Sequence, residues 1–230
     1  MSATASCVVP IKGTVYRMIA LDTCGNPITG TGGNVITSKG FVQVAMTPQY
    51  QAGVEFFEVT ADGTPCVNQI DDAVLKRYEL VMDFCETNQT GASWMASMRE
   101  LTSSNGATGY GFAGQEGQMT NRWSLEVWQR IAGQYSCDIN GAQQYIYNAW
   151  PNVGAAQLGA YTILNDKSTL TITAETRAVS LAPTVGWGKP SNQSSTSYLP
   201  PGFAAQAADH WYWSITSVAP PAPACNPLYL

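Results

Sequence analysis

The chain has 230 residues, 45% of them hydrophobic, enough to bury a sizeable core and to exclude disorder as the overall state. Charged residues make up only 12%, and the net charge is −5; soluble domains usually carry ~25% charged residues. Such a surface resists self-association poorly, as expected of a subunit covered by its neighbours or of a polar, uncharged binding module, and the acidic balance excludes nucleic-acid binding through clustered Lys and Arg.

The N-terminal residues lack the basic and apolar regions of a secretion signal. No apolar run approaches the ~20 residues of a membrane span. Folding in a cytoplasm, with no membrane partner, is therefore expected.

Turn signals and short strand-like runs then alternate along the chain. D-T-C-G-N-P at 22–27 and G-T-G-G-N at 30–34 read as turns. Residues 41–46 alternate, with Val42, Val44 and Met46 on one face. Residues 55–60, the Asp62-Gly63 turn and 66–69 form a hairpin pattern. Segment 72–86 fits two periods. As a strand it sets Tyr78, Leu80, Met82 and Phe84 against Arg77, Glu79, Val81 and Asp83; as a helix it also makes an apolar stripe. The clean polar alternation favours the strand. A helix is expected over 90–101, with Trp94, Met95, Met98 and Leu101 at helical spacing and Asn88 or Thr90 as its cap.

A Gly/Ser/Thr-rich loop at 102–120, with an Asn105-Gly106 turn, follows. Residues 122–129 place Trp123, Leu125 and Val127 opposite Arg122, Ser124 and Glu126. After the Asn140-Gly141 turn, strands are expected at 144–150, 161–164, 169–174 and 211–218, with a second long loop at 185–201. The four prolines of 219–230 exclude a central strand and predict an extended arm. The expected fold is mainly β: two packed antiparallel sheets as a sandwich or barrel, one short flanking helix and long loops, in a single domain over 1–218 followed by the arm.

Chemistry-bearing motifs are sparse. The six cysteines, Cys7, Cys24, Cys66, Cys85, Cys137 and Cys225, are dispersed without C-x-x-C spacing, so buried free thiols are expected rather than a metal or redox site, with disulfides open if the protein later meets oxidising conditions. The single histidine, His210, would have to serve any Ser-His-Asp or His-based metal site, and its strand-like surroundings favour a structural role. G-x-S-x-G and the phosphate-binding loop motif are both missing from the sequence. No catalytic residue, metal ligand or cofactor is expected. Trp123, Trp128, Trp211 and Trp213 could form a carbohydrate platform, but core or interface positions are the commoner use of such residues. Acids concentrate between 55 and 86: Glu55, Glu58, Asp62, Asp71, Asp72, Glu79, Asp83 and Glu86, opposed there by Lys76 and Arg77. A solvated sheet face is the plain reading, and E-x-x-E puts Glu55 and Glu58 on opposite faces of a strand.

Several stretches, in order, resemble the major tail (tail tube) proteins of long-tailed actinobacterial phages. They are V-V-P-I-K-G-T-V-Y-R at 8–17, L-D-T-C-G-N-P at 21–27, S-K-G-F-V-Q-V at 38–44, C-V-N-Q-I-D-D-A-V-L-K-R-Y-E-L at 66–80, S-L-E-V-W-Q at 124–129 and Y-I-Y-N-A-W-P-N-V-G at 145–154. The chain departs from the family pattern at Asn88-Gln89-Thr90, where a D-P-E-like helix start is usual. The resemblance implies a non-enzymatic virion protein, assembled in the host cytoplasm. Its rings, as a rule sixfold, stack into a hollow tube, joined by arms and by other tail proteins. Viral DNA would pass through the lumen without specific binding. Glu55, Glu58, Glu79 and Asp83 are then the candidate lumen-lining acids, Glu79 and Asp83 foremost. The competing readings are another virion protein (capsid accessory or minor tail), a carbohydrate-binding β-sandwich and, third, a hydrolase.

Overall fold

The computed structural model describes residues 9–28, 35–86, 89–101, 111–114, 116–117, 120–133, 136–137, 140–159, 161, 169–178 and 208–228. Residues 162–164 of the expected strand at 161–164, the Asn105-Gly106 turn, most of the 102–120 loop and all of the 185–201 loop lie outside these residues, as do the turn at 30–34 and the capping candidate Asn88; Tyr161 itself is in no strand.

The protein is mainly β, with antiparallel pairing throughout the described strands and one short helix, as the alternation predicts. In chain order the elements are β1 (Val9–Leu21), β2 (Val35–Ser38), β3 (Phe41–Gln51), β4 (Glu55–Val59), β5 (Pro65–Ile70), β6 (Val74–Phe84), α1 (Gln89–Met95), β7 (Arg99–Leu101), β8 (Gly111–Ala113), β9 (Arg122–Ala132), β10 (Tyr145–Leu158), β11 (Leu170–Thr176), β12 (Tyr212–Thr216) and β13 (Ala224–Leu228). One large sheet runs β13-β2-β1-β9-β10-β11-β6-β3, with β12 also on β10, and β4-β5 and β7-β8 form separate two-stranded ribbons.

The two packed layers are two halves of that one sheet. β10 carries β12 along 145–149 and β11 along 153–158, both on the side away from β9. Irregular pairing between Gly154 and Gln157, with Ala155 at φ 50°, bends its second half over, a device by which strands pass between layers. β2 and β3 lie near opposite ends of the strand order, yet only Lys39 and Gly40 separate them in the chain. The sheet must therefore curl until its ends meet. At that seam the Gly40 carbonyl accepts the Cys85 and Glu86 amides at 2.8 and 3.1 Å. Tyr16 of β1 meets Phe41 of β3 and Phe84 of β6 edge-on across the interior. Gly13 leaves room there for the Phe41 ring, whose tip lies 2.4 Å from where a Cβ would fall.

The enclosed core takes alternate residues from nearly every strand: Tyr16 and Met18, Leu80 and Met82, Trp123 and Leu125, Trp150 and Val153, Leu170 and Ile172. Segment 72–86 is thus a strand, with Leu80, Met82 and Phe84 buried. The helix adds Ala92 and Met95 and is shorter than its spacing predicts. Ser97 adopts φ 50°, and the Met98 amide bonds back to the Ser93 carbonyl at 2.9 Å, a left-handed cap that stops the helix. Residues 99–101 then become β7, and Leu101 is exposed.

A second apolar cluster, Trp128, Tyr147, Ala149 and Tyr212, lies on the outer side of β9, β10 and β12. Beside it Arg17 and Glu126 form a buried ion pair, with a further Arg17 Nη2–Glu126 Oε1 bond of 2.8 Å. The Tyr147 hydroxyl donates to the same carboxylate at 2.5 Å. The segment 217–223 helps to cover this face. It leaves β12, beyond β10, and must reach β13, beyond β2. Val218 packs on the second cluster and Pro221 is buried. Within the proline-rich stretch expected as an extended arm, residues 224–228 pair with β2 of the same chain.

Candidate assembly surface

β3 and β6 pair from Phe41↔Phe84 to Gln51↔Val74, and β4 and β5 continue from Glu55↔Ile70 to Val59↔Pro65. Together they make one long two-stranded arm whose tip is the Asp62-Gly63 turn. The turn is held by Gly63 at φ 85° and by Asp62, which accepts the Thr64 amide at 3.2 Å and the Thr60 hydroxyl. These bonds hold the Asp62 carboxyl below its usual pKa, the Thr60 hydroxyl foremost.

Only the base of the arm belongs to the core. Beyond Tyr78 both faces are open. On one face the register aligns Glu55 with Ile70 and Phe57 with Asn68; on the other it aligns Phe56 with Gln69 and Glu58 with Val67. Each face thus carries one aromatic, one aliphatic and one carboxylate. Phe56 is 51%, Phe57 55% and Ile70 64% exposed, and Tyr50, Val54, Val59, Val67 and Val74 are exposed as well. An isolated ribbon with this much bare apolar surface is marginal in water. Where the ladder is interrupted, a single Asp71 amide to Val54 carbonyl bond of 3.0 Å joins ribbon to base. Gly53 sits there because a Cβ would fall 1.7 Å from the Asp71 carbonyl oxygen.

The four candidate acids all lie on this arm but not together. Glu55 and Glu58 point to opposite faces of the ribbon, as E-x-x-E predicts. Glu79 and Asp83 share the outer face of β6, flanked by Thr47 and Gln43 of β3 and by Glu175 and Thr171 of β11. Gln49 donates to Glu79 at 3.2 Å, the Thr171 hydroxyl to Asp83 at 2.6 Å, and Arg77 reaches Glu175 at 3.0 Å. That face is polar and weakly acidic rather than a concentrated carboxylate site.

The remaining candidate chemistry is dispersed or enclosed. The His210 Nδ1 lies 2.8 Å from the Thr176 hydroxyl, which also accepts the Tyr78 amide at 2.9 Å. Thr176 is buried and His210 half-buried. Burial lowers the His210 pKa, with Asp209 opposing. Trp123 and Trp128 are fully buried on opposite faces of β9, and Trp211 packs against the core. Only Trp213 of the four is exposed, so they do not form a shared platform. Cys66, Cys85 and Cys137 are free and exposed and Cys24 is exposed as well, so these four are not the buried thiols expected. No group of three or more His, Cys, Asp or Glu suited to a metal ion occurs among the described residues. A scan against protein-family models finds no match, and a search of curated proteins finds none either.

Proposed function

We propose that this chain is a structural subunit that self-assembles into stacked rings forming the hollow tail tube of a long-tailed phage. The observation that carries the self-assembly is the arm: a projecting ribbon with a phenylalanine and an aliphatic residue bare on each face. Burying one such side chain is worth about 1.5–3 kcal/mol, so several covered together can drive association of a low-charge chain. The outward edge of β3 is unpaired among the described strands, and so is that of β13. A head-to-tail contact between such edges closes rings if the rotation is right. The tube itself, and the passage of DNA, rest on the sequence resemblance. The test is sedimentation velocity with negative-stain microscopy of the purified protein. Rings or tubes are expected. A chain that stays monomeric at high concentration overturns the proposal.

A further inference from the structure

The arm needs a receiving surface, and the body of the chain offers one of complementary character. At the start of β1, Val9 is 61% and Ile11 60% exposed, Ile11 sitting where the register shifts between Pro10 and Lys12. Next to them Lys12 lies directly opposite Arg130 of β9, and both are exposed. Like charges placed opposite each other across a ladder are destabilising. Neither has an ion-pair partner among the described residues. Tyr145 of β10 is the next residue in the same cross-strand row. The patch is therefore basic and apolar, whereas the ribbon is acidic and apolar. Glu55, Glu58, Asp62, Asp71 and Asp72 lie on or beside the ribbon, with Lys76 and Arg77 nearer the base.

We propose that the β4–β5 ribbon of one copy docks on the Val9–Lys12 and Arg130 patch of a second copy. This rests on the self-assembly reading and adds the receiving surface to it. Phe56 or Phe57 covers Val9 and Ile11, while the carboxylate on the same ribbon face approaches Lys12 and Arg130. The opposed cations then gain the counter-charge that their own chain does not supply. Because the contact joins two different surfaces, it is heterologous and propagates from copy to copy. Its two carboxylates face opposite ways, so one ribbon face can dock while the other stays free.

A charge-exchange series tests the inference by sedimentation velocity, with circular dichroism as the check on folding. Lys12→Glu/Arg130→Glu and Glu55→Lys/Glu58→Lys are each expected to weaken association at least tenfold while keeping the β spectrum. Combining all four changes is expected to restore it. Recovery only in the quadruple variant supports the contact, since a nonspecific charge effect would not be reciprocal. If the wild-type protein associates and the Lys12→Glu/Arg130→Glu variant associates equally well, the receiving surface is wrong while the self-assembly reading survives. If the wild type never associates, both are overturned. If a reversal variant loses its β spectrum, Lys12→Gln/Arg130→Gln replaces it, and undiminished association of that variant counts against the contact.

Discussion

Arg17 and Glu126 show how single residues escape a pattern-based reading. Alternation in β9 correctly groups Glu126 with Arg122 and Ser124, away from Trp123 and Leu125. It does not reveal that this face is covered, because the covering strap comes from 217–223, far along the chain. Removing one partner of a buried ion pair strands the other charge, at about 3–5 kcal/mol. Arg17→Met and Glu126→Gln should each lose stability on that scale in urea unfolding. Arg17→Met/Glu126→Leu should lose less than the two singles together. Tyr147→Phe, which removes one hydrogen bond to the carboxylate, should cost about 1–3 kcal/mol. His210 gives a pH dependence with a definite sign. Burial holds its folded pKa below the ordinary histidine value of about 6.5, so the unfolded chain binds the proton more readily. Its contribution to stability is complete above about pH 6.5 and is lost as pH falls through the lower folded pKa. The urea midpoint of the wild type should fall between pH 7 and 5 more than that of His210→Gln.

Among the elements, strands with a polar face or a run of aromatic and β-branched residues were readable, including β9 and β10, which are buried on both faces, whereas β1 and β2 were not. β6 announced itself because Leu80, Met82 and Phe84 face the core while Glu79 and Asp83 face outward. β1 is buried on both faces from Val15 to Ile19, so it lacks polar alternation, and Pro10 and Gly13 interrupt its pattern. β2 is too short to show a period. The hairpin of β4 and β5 was evident from its Asp-Gly turn, but its exposure was not, since sequence alternation carries no information about which neighbours exist. That exposure makes a sharp expectation. Phe56→Ser/Phe57→Ser removes no core contact, so the thermal midpoint should stay within a few degrees while self-association weakens strongly. Gly53→Ala should act similarly by a different route. A Cβ there meets the Asp71 backbone, which cannot rotate away, so the ribbon must swing relative to its base. Analytical ultracentrifugation beside thermal unfolding separates these effects: a large drop in midpoint for either variant would mean that the ribbon belongs to the folded core.

For the whole molecule, the curled sheet has an outer surface whose halves differ in kind. The half carrying Arg17, Glu126 and Trp128 is covered by the chain itself. The half made by β3, β6 and β11 carries Glu79, Asp83, Glu175 and their threonine neighbours, exposed or half-buried among the described residues. In a tube of such subunits, a polar, mildly acidic face is the one suited to a passage for DNA. It repels phosphate without forming a deep field that would trap counter-ions. The tube reading therefore places Glu79 and Asp83 in the lumen. This can be checked in a background where the six native cysteines are serine and Glu79→Cys is added. In assembled tubes this thiol should react with a small maleimide, which enters the open ends, but not with a maleimide carried on a dextran wider than the lumen. In disassembled subunits it should react with both. Equal labelling by the two reagents in intact tubes would put β6 on the outside and assign the lumen to another face. The companion change, Glu79→Lys/Asp83→Lys, should leave the tubes intact but make them retain DNA. That retention should fall steeply as salt is raised, because it would come from phosphate neutralisation by the new lysines.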